Sequence, residues 1–127
     1  MPKLFAHMIE VGFIPQMYAS QWFLTLFAVY FEMDVVVRIW DILLVEGRKT
    51  IFRVGLAIMK ILEKKLMGAE LGDMFIIFRE FRSEVKIEAL LKAAMDFTFS
   101  KKLLSNCEKE FRSNKVNKEI AGISKLL

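Results

Sequence analysis

The stretch YASQWFLTLF, residues 18–27, sets Tyr18, Ser20, Gln21 and Trp22 at the mouth of an otherwise apolar segment. A glutamine amide can orient a water or a polar substrate, and a serine hydroxyl becomes a nucleophile when a base sits beside it. Neither has such a helper in view. The chain has one histidine, His7, and one cysteine, Cys107, and neither a G-x-x-x-x-G-K phosphate loop nor a G-x-S-x-G elbow. A lone His7 cannot supply metal-ligand spacing. Cys107 lies on an apolar stripe, which predicts a buried small hydrophobe. The carboxylate pairs Glu63 with Glu70 and Glu84 with Glu88 sit in polar stretches that suit a solvated helix face. No catalytic residue, metal site or cofactor is therefore expected.

A structural role accounts for these polar residues. Ser20 and Gln21 are expected in or near the first turn of a helix, where side-chain oxygens satisfy unpaired backbone N–H groups; the other role open to them is to shape a groove wall. Trp22, and Trp40 in RIWDILLVEG, read as core residues whose indole N–H needs a partner. Arg38 is spaced to pair with Asp41 at i, i+3 or with Asp34 at i, i+4. If buried, such a pair would cost several kcal/mol to break, of the order of 3–5; if exposed, it would matter little.

Helical periodicity runs through nearly the whole chain. Leu4, Phe5, Met8 and Ile9 mark one face of a first helix over 2–11, with Gly12 placed for a left-handed cap. GFIPQ reads as a turn, and a second helix is expected from Tyr18 through the apolar run to Phe31. Asp34 is the expected N-cap of a third helix, with Val35, Val36, Ile39, Trp40, Leu43 and Leu44 on one face and Gly47 as its stop. A strand through the three valines is rejected, because Arg38 and Asp41 would interrupt both of its faces. Residues 50–66 form the longest apolar helix, expected to be central, with Arg53, Lys60 and Glu63 on its wet face and Gly68 as its stop. A short helix over 73–81 follows. Ser83 is placed to cap the next, which carries Ile87, Leu90, Leu91, Ala94 and Met95. The spacing of Phe99, Leu103, Cys107 and Phe111 predicts a helix over 98–112, and Ile120, Ile123, Leu126 and Leu127 a last, fraying one. The fold class is all-α.

Composition narrows the function classes. With 55% hydrophobic residues and twelve phenylalanines in 127 residues, the chain is too apolar for disorder and fits about one domain. A single cysteine excludes an internal disulfide framework and fits a reducing cytosolic setting. The run Met17 to Phe31 is 15 residues long and is closed by Glu32 and Asp34; a membrane-spanning helix needs roughly 20. No secretory signal pattern opens the chain. The net charge of +4 comes wholly from residues 101–127, with seven basic against three acidic residues, since residues 1–100 hold twelve of each. Those tail cations alternate with acids, so nucleic-acid binding is not expected, and weak peripheral attraction to anionic membranes is the residual reading.

Three blocks, MPKLFAHMIEVGFIPQMYASQWFLTLFAVYF, RIWDILLVEG and IFRVGLAIMK, become specific when taken together. In this order and with these short gaps they closely resemble the second half of the TBC domain, the helical domain of Rab GTPase-activating proteins. The likeness is dense over residues 2–66 and weaker through 112. It implies a multi-helix orthogonal bundle, with residues 1–112 the C-terminal subdomain and 113–127 a basic helical or fraying extension. The family accelerates GTP hydrolysis by supplying an arginine from I-x-x-D-x-x-R and a glutamine from Y-x-Q-G, both in the first half of the domain. Here Asp34, Asp41, Asp73 and Asp96 are followed three residues on by Val37, Leu44, Ile76 and Phe99. Tyr18 and Tyr30 are followed two residues on by Ser20 and Glu32. Gln21 stands three residues after Tyr18 and precedes Trp22, so it does not match the family's glutamine.

The resemblance thus implies a supporting subdomain of a GTPase activator rather than an enzyme. Its expected partners are a GTP-bound Rab, with GTP and Mg²⁺ held by the Rab, and the N-terminal half of the domain. Cytoplasmic location, peripheral on endomembranes, and a role in vesicle trafficking follow from the same resemblance. Alone, the chain is expected to be inactive and to self-associate through the apolar face that would meet the other half. The alternative is a non-catalytic TBC-like module or scaffold that binds a small GTPase.

Overall fold

The computed structural model describes residues 1–81 and 85–113. Among them seven helices follow one another: α1 (Pro2–Glu10), α2 (Pro15–Thr25), α3 (Met33–Glu46), α4 (Lys49–Leu66), α5 (Leu71–Glu80), α6 (Ile87–Met95) and α7 (Lys101–Ser113). No strand occurs among the described residues, so the class is all-α. Two compact units divide the chain, Met1–Phe97 with α1 to α6 and Thr98–Leu127 with α7.

In the first unit α4 packs against α1, α2, α3, α5 and α6, the central place its apolar arc predicts. Thr50, Val54, Gly55, Ala57, Ile58, Met59, Leu62 and Leu66 are its buried residues. Each large aliphatic side chain among them contributes about 1.5–3 kcal/mol on leaving water. Arg53 departs from expectation. It is largely buried and bonded to Glu46 rather than lying on a wet face, because the end of α3 folds over it.

The ends of α1 are as the spacing implies. Gly12 takes φ +80, its N–H bonds to the Ile9 carbonyl at 3.0 Å, and the Phe13 N–H bonds to the Met8 carbonyl at 2.7 Å. These are the two bonds of a Schellman cap, and they drop Phe13 into the core beside Met8.

The second helix differs at both ends from the expected span of 18–31. Pro15 is inside it, at the first helical position, where a missing N–H costs nothing and the fixed φ suits the helix. The helix stops at Thr25 because Leu26 and Phe27 take φ 48 and φ 67, and residues 26–30 run as turn. Left-handed backbone costs a residue with a Cβ roughly 1–2 kcal/mol. Two contacts offset it. Phe27 is fully buried, 5.9 Å from the Trp22 ring and 6.2 Å from that of Phe31. The Trp40 Nε1–H donates to the Leu26 carbonyl at 2.9 Å, capping an oxygen that a helix end leaves unpaired.

The N-cap of α3 is Glu32 rather than Asp34, which sits in the first turn where the helix dipole favours a carboxylate. Gly47 closes α3 at φ 79 and ψ −164. Helix α5 begins two residues earlier than expected, and α6 begins after Lys86; Ser83 lies outside the described residues. Ser100 caps α7, its Oγ accepting the Leu103 N–H at 3.0 Å. Cys107 is exposed rather than buried, since an apolar stripe at helical spacing does not by itself bring a cover. The expected helix at 120–127 lies outside the described residues.

Candidate functional site

A cleft of about 240 Å³ opens in the first unit where the α1–α2 turn and α2 face α5. Its floor is aromatic. Phe13 stacks on Tyr18 at 5.2 Å, Tyr18 stacks on Phe78 at 5.1 Å, and Phe75 meets Phe13 edge-on at 5.1 Å. Polar groups stand on this floor: the Tyr18 phenol, the Gln21 amide, Tyr30 and the Arg79 guanidinium. Burial pushes the Tyr18 hydroxyl above its ordinary value of 10.0, so it is a neutral donor and acceptor at physiological pH. Arg79 is exposed and lies 3.5 Å from the Glu80 carboxylate.

Neither a nucleophile with its base nor a group of three metal-ligating side chains occurs among the described residues of the site. An aromatic floor with neutral donors and one guanidinium offers apolar contact and a few fixed hydrogen-bonding groups.

The residues singled out from the sequence fall into three groups. Tyr18 and Gln21 share the cleft. Trp22 lies in the core in ring contact with Tyr18 at 5.3 Å and Phe78 at 5.9 Å; its buried indole N–H has no hydrogen-bond partner among the described residues, against the expectation of one. Ser20 does not cap the helix start, because α2 begins at Pro15 and Ser20 is therefore in its second turn. Its hydroxyl donates back to the Gln16 carbonyl at 2.8 Å. The Gln21 carbonyl accepts the Thr25 hydroxyl at 2.8 Å, one turn before the helix ends.

Arg38, Trp40 and Asp41 are on α3. Arg38 reaches Glu88 of α6 at 3.9 Å instead of Asp34 or Asp41, and both members of that pair are exposed. Trp40 is half-exposed rather than a core residue, since its ring closes over Leu26 at the surface. With Leu26, Leu43 and Leu44 it lines a separate hollow of about 150 Å³.

Sequence reading missed the α5 wall of the cleft, Phe75, Phe78 and Arg79, more than fifty residues from Gln21 and marked by no local pattern. It also missed a charge cluster at the α3–α4 corner. Lys49 Nζ lies 3.0 Å from Glu46, Arg53 donates to the same carboxylate oxygen, and the buried Arg53 Nε–H has no partner among the described residues. The Lys49 ammonium first, and the Arg53 charge after it, hold the Glu46 carboxyl below its ordinary value of 4.5 against the opposing effect of desolvation. The Glu46–Lys49 spacing of i, i+3 was the available signal.

Comparison with known proteins settles the family. The Rab-GTPase-TBC domain matches residues 1–67, which hold α1 to α4 and the cleft residues of α2. This chain belongs to the Rab-GTPase-TBC domain family. Among curated relatives it is similar to the mouse Ecotropic viral integration site 5 protein, 33% identical over 118 residues, covering 91% of this chain and 15% of that protein. It is equally similar to the Caenorhabditis elegans Rab GTPase-activating protein eat-17, 33% identical over 122 residues, 94% of this chain and 14% of that protein. The Rab GTPase-activating protein tbc-11 of the same organism is 32% identical over 116 residues, 87% of this chain and 12% of that protein. The chain thus spans only about a seventh of the length of these TBC relatives. No solved structure matches it significantly.

Proposed function

We propose that this chain is the C-terminal subdomain of a TBC domain that stimulates GTP hydrolysis by a GTP-bound Rab. Residues 1–112 form the subdomain and 113–127 a basic extension. The observation that carries this reading is the Rab-GTPase-TBC match over residues 1–67, alongside alignment of nearly the whole chain with proteins named as Rab GTPase activators. The role is mechanical. Helix α4 and its neighbours brace the helices of the N-terminal half, which carry the activating arginine and glutamine. Tyr18 and Gln21 form part of the groove wall; Ser20, Trp22, Arg38 and Trp40 hold α2 and α3 in place, and Asp41 stands exposed on α3. GTP and Mg²⁺ belong to the Rab, and the whole protein acts in the cytoplasm, peripherally on endomembranes.

An arginine finger raises GTPase rates by about 10³–10⁵ by neutralising charge on the transferring phosphoryl group. Lacking the I-x-x-D-x-x-R and Y-x-Q-G motifs, this chain alone leaves the Rab rate at its intrinsic value. Single-turnover GTP hydrolysis across a Rab panel, with the chain alone and with the chain extended upstream by a further half-domain, tests this. Stimulation only by the extended protein is expected. Stimulation by the chain alone would overturn the reading, and binding without stimulation by the extended protein would mark a non-catalytic module.

A further inference from the structure

Helix α3 turns an apolar seam outward. Met33, Val37, Trp40 and Leu44, spaced 4, 3 and 4 residues apart, lie on one face and are 66%, 46%, 38% and 85% exposed. The seam is about 16 Å long at 1.5 Å per residue, three turns of helix. Beside it the hollow of about 150 Å³ between Trp40, Leu26, Leu43 and Leu44 is large enough for one leucine or phenylalanine side chain. The Trp40 indole is held in place by its 2.9 Å bond to the Leu26 carbonyl, so the wall of this hollow is formed before anything docks.

Charge names the kind of partner. Asp34 and Asp41, seven residues apart, lie along one edge of the seam, are exposed, and have no ion pair among the described residues. Arg38, further round the helix, is engaged by Glu88. A second copy of α3 laid antiparallel would set aspartate against aspartate, which disfavours self-pairing. A helix with large apolar side chains every three or four residues and Lys or Arg along one edge fits the seam, the hollow and the two carboxylates together. A seam this apolar suits a permanent contact rather than a transient encounter, because permanent interfaces are the more hydrophobic ones.

We infer that the Met33–Val37–Trp40–Leu44 face of α3 is the seat of a basic-edged amphipathic helix from the N-terminal half of the same domain. This inference rests on the proposed function and assigns the contact between the two halves to one face.

The test places the photo-crosslinker p-benzoylphenylalanine at Leu44 in the full-length protein, with Lys64 on α4 as a comparison site, and maps adducts by mass spectrometry. Leu44 is so exposed that its replacement leaves the fold intact. The expected result is an intramolecular adduct from position 44 to a helix bearing Lys or Arg on one edge. The double substitution Asp34→Lys with Asp41→Lys is expected to lower the equilibrium constant for closing the seam about fivefold, read as a lower urea midpoint for loss of the adduct, since two exposed charge pairs of a few tenths to 1 kcal/mol each are reversed. No adduct, an adduct only to a second copy or to another protein, or a urea midpoint for the adduct indifferent to the charge reversal would each overturn the inference. Rab GTP hydrolysis measured on the same protein separates the two claims. An intramolecular adduct without stimulation refutes the function and keeps the surface; stimulation without the adduct refutes the surface and keeps the function.

Discussion

Gly55 sits in the middle of α4 directly beneath Trp22, and replacing it with alanine sets two opposing effects against each other. In a helix interior the exchange is worth about 0.8–1 kcal/mol in favour of alanine, through backbone entropy. A Cβ at this position would stand 3.3 Å from both Cε3 and Cζ3 of Trp22. Carbon pairs prefer about 3.5–4.0 Å, so the indole must retreat by a few tenths of an ångström. Its room to do so is small. Tyr18, Phe27, Tyr30 and Phe78 all make ring contact with Trp22, at 5.3, 5.9, 6.2 and 5.9 Å. Overpacking a filled core costs about 1–3 kcal/mol, which exceeds the propensity gain. Gly55→Ala is therefore expected to destabilise the first unit by about 1 kcal/mol, or roughly 4–8 °C in Tm for a domain of this size. The control is Gly72→Ala in the first turn of α5, where a Cβ meets nothing within 4 Å. That exchange should raise stability by about 0.4–1 kcal/mol through the unfolded chain. Urea unfolding followed by tryptophan fluorescence reads both. Equal stabilisation by the two substitutions would show that Trp22 yields freely and would refute the reasoning.

Three further outcomes are expected. Gly47→Ala, at φ 79 and ψ −164 between α3 and α4, should cost about 1–3 kcal/mol in thermal unfolding, because that backbone region is almost closed to residues with a Cβ. Glu46 has its folded pKa lowered, so its contribution is complete above the ordinary 4.5 and is lost as pH falls through the lowered folded value. Between about pH 7 and pH 3 the wild type should accordingly lose more of its urea midpoint than Glu46→Gln; equal losses would show the Lys49–Glu46–Arg53 cluster to be inert. Cys107 is exposed, so Ellman's reagent should label it in the native protein at the same extent as in urea. Labelling only after unfolding would contradict its position on α7.

Local physics is written along the chain. The i, i+3, i+4 spacing of large apolar side chains is enough to make helices of α1, α3, α4 and α6, and Gly12 and Gly47 end two of them, since each supplies the positive φ a helix exit needs. The breadth of the apolar arc in Ile51 to Leu66 marks α4 as the element others must cover. Such features depend only on neighbours within a turn or two, so periodicity reports them. The three family-like blocks are also local strings, which is why the family was legible before any fold was known.

Partners far along the chain are not written there. Helix α2 ends at Thr25 because Trp40, fourteen residues past Leu26, caps its carbonyl and because Phe27 gains a buried seat; nothing in YASQWFLTLFAVYF marks that break. Arg38 chose Glu88 over two nearer aspartates because α6 packs alongside α3's neighbour α4. Arg53 became buried because Gly47 turns Glu46 back upon it. The cleft joins Tyr18 and Gln21 to Phe78 and Arg79 across the packing of two helices. Residue order determined which segments coil and what kin they have. Only the assembled core decided which faces meet, because burial energy is summed over contacts among residues distant in the chain, and a single helix carries no record of what will cover it.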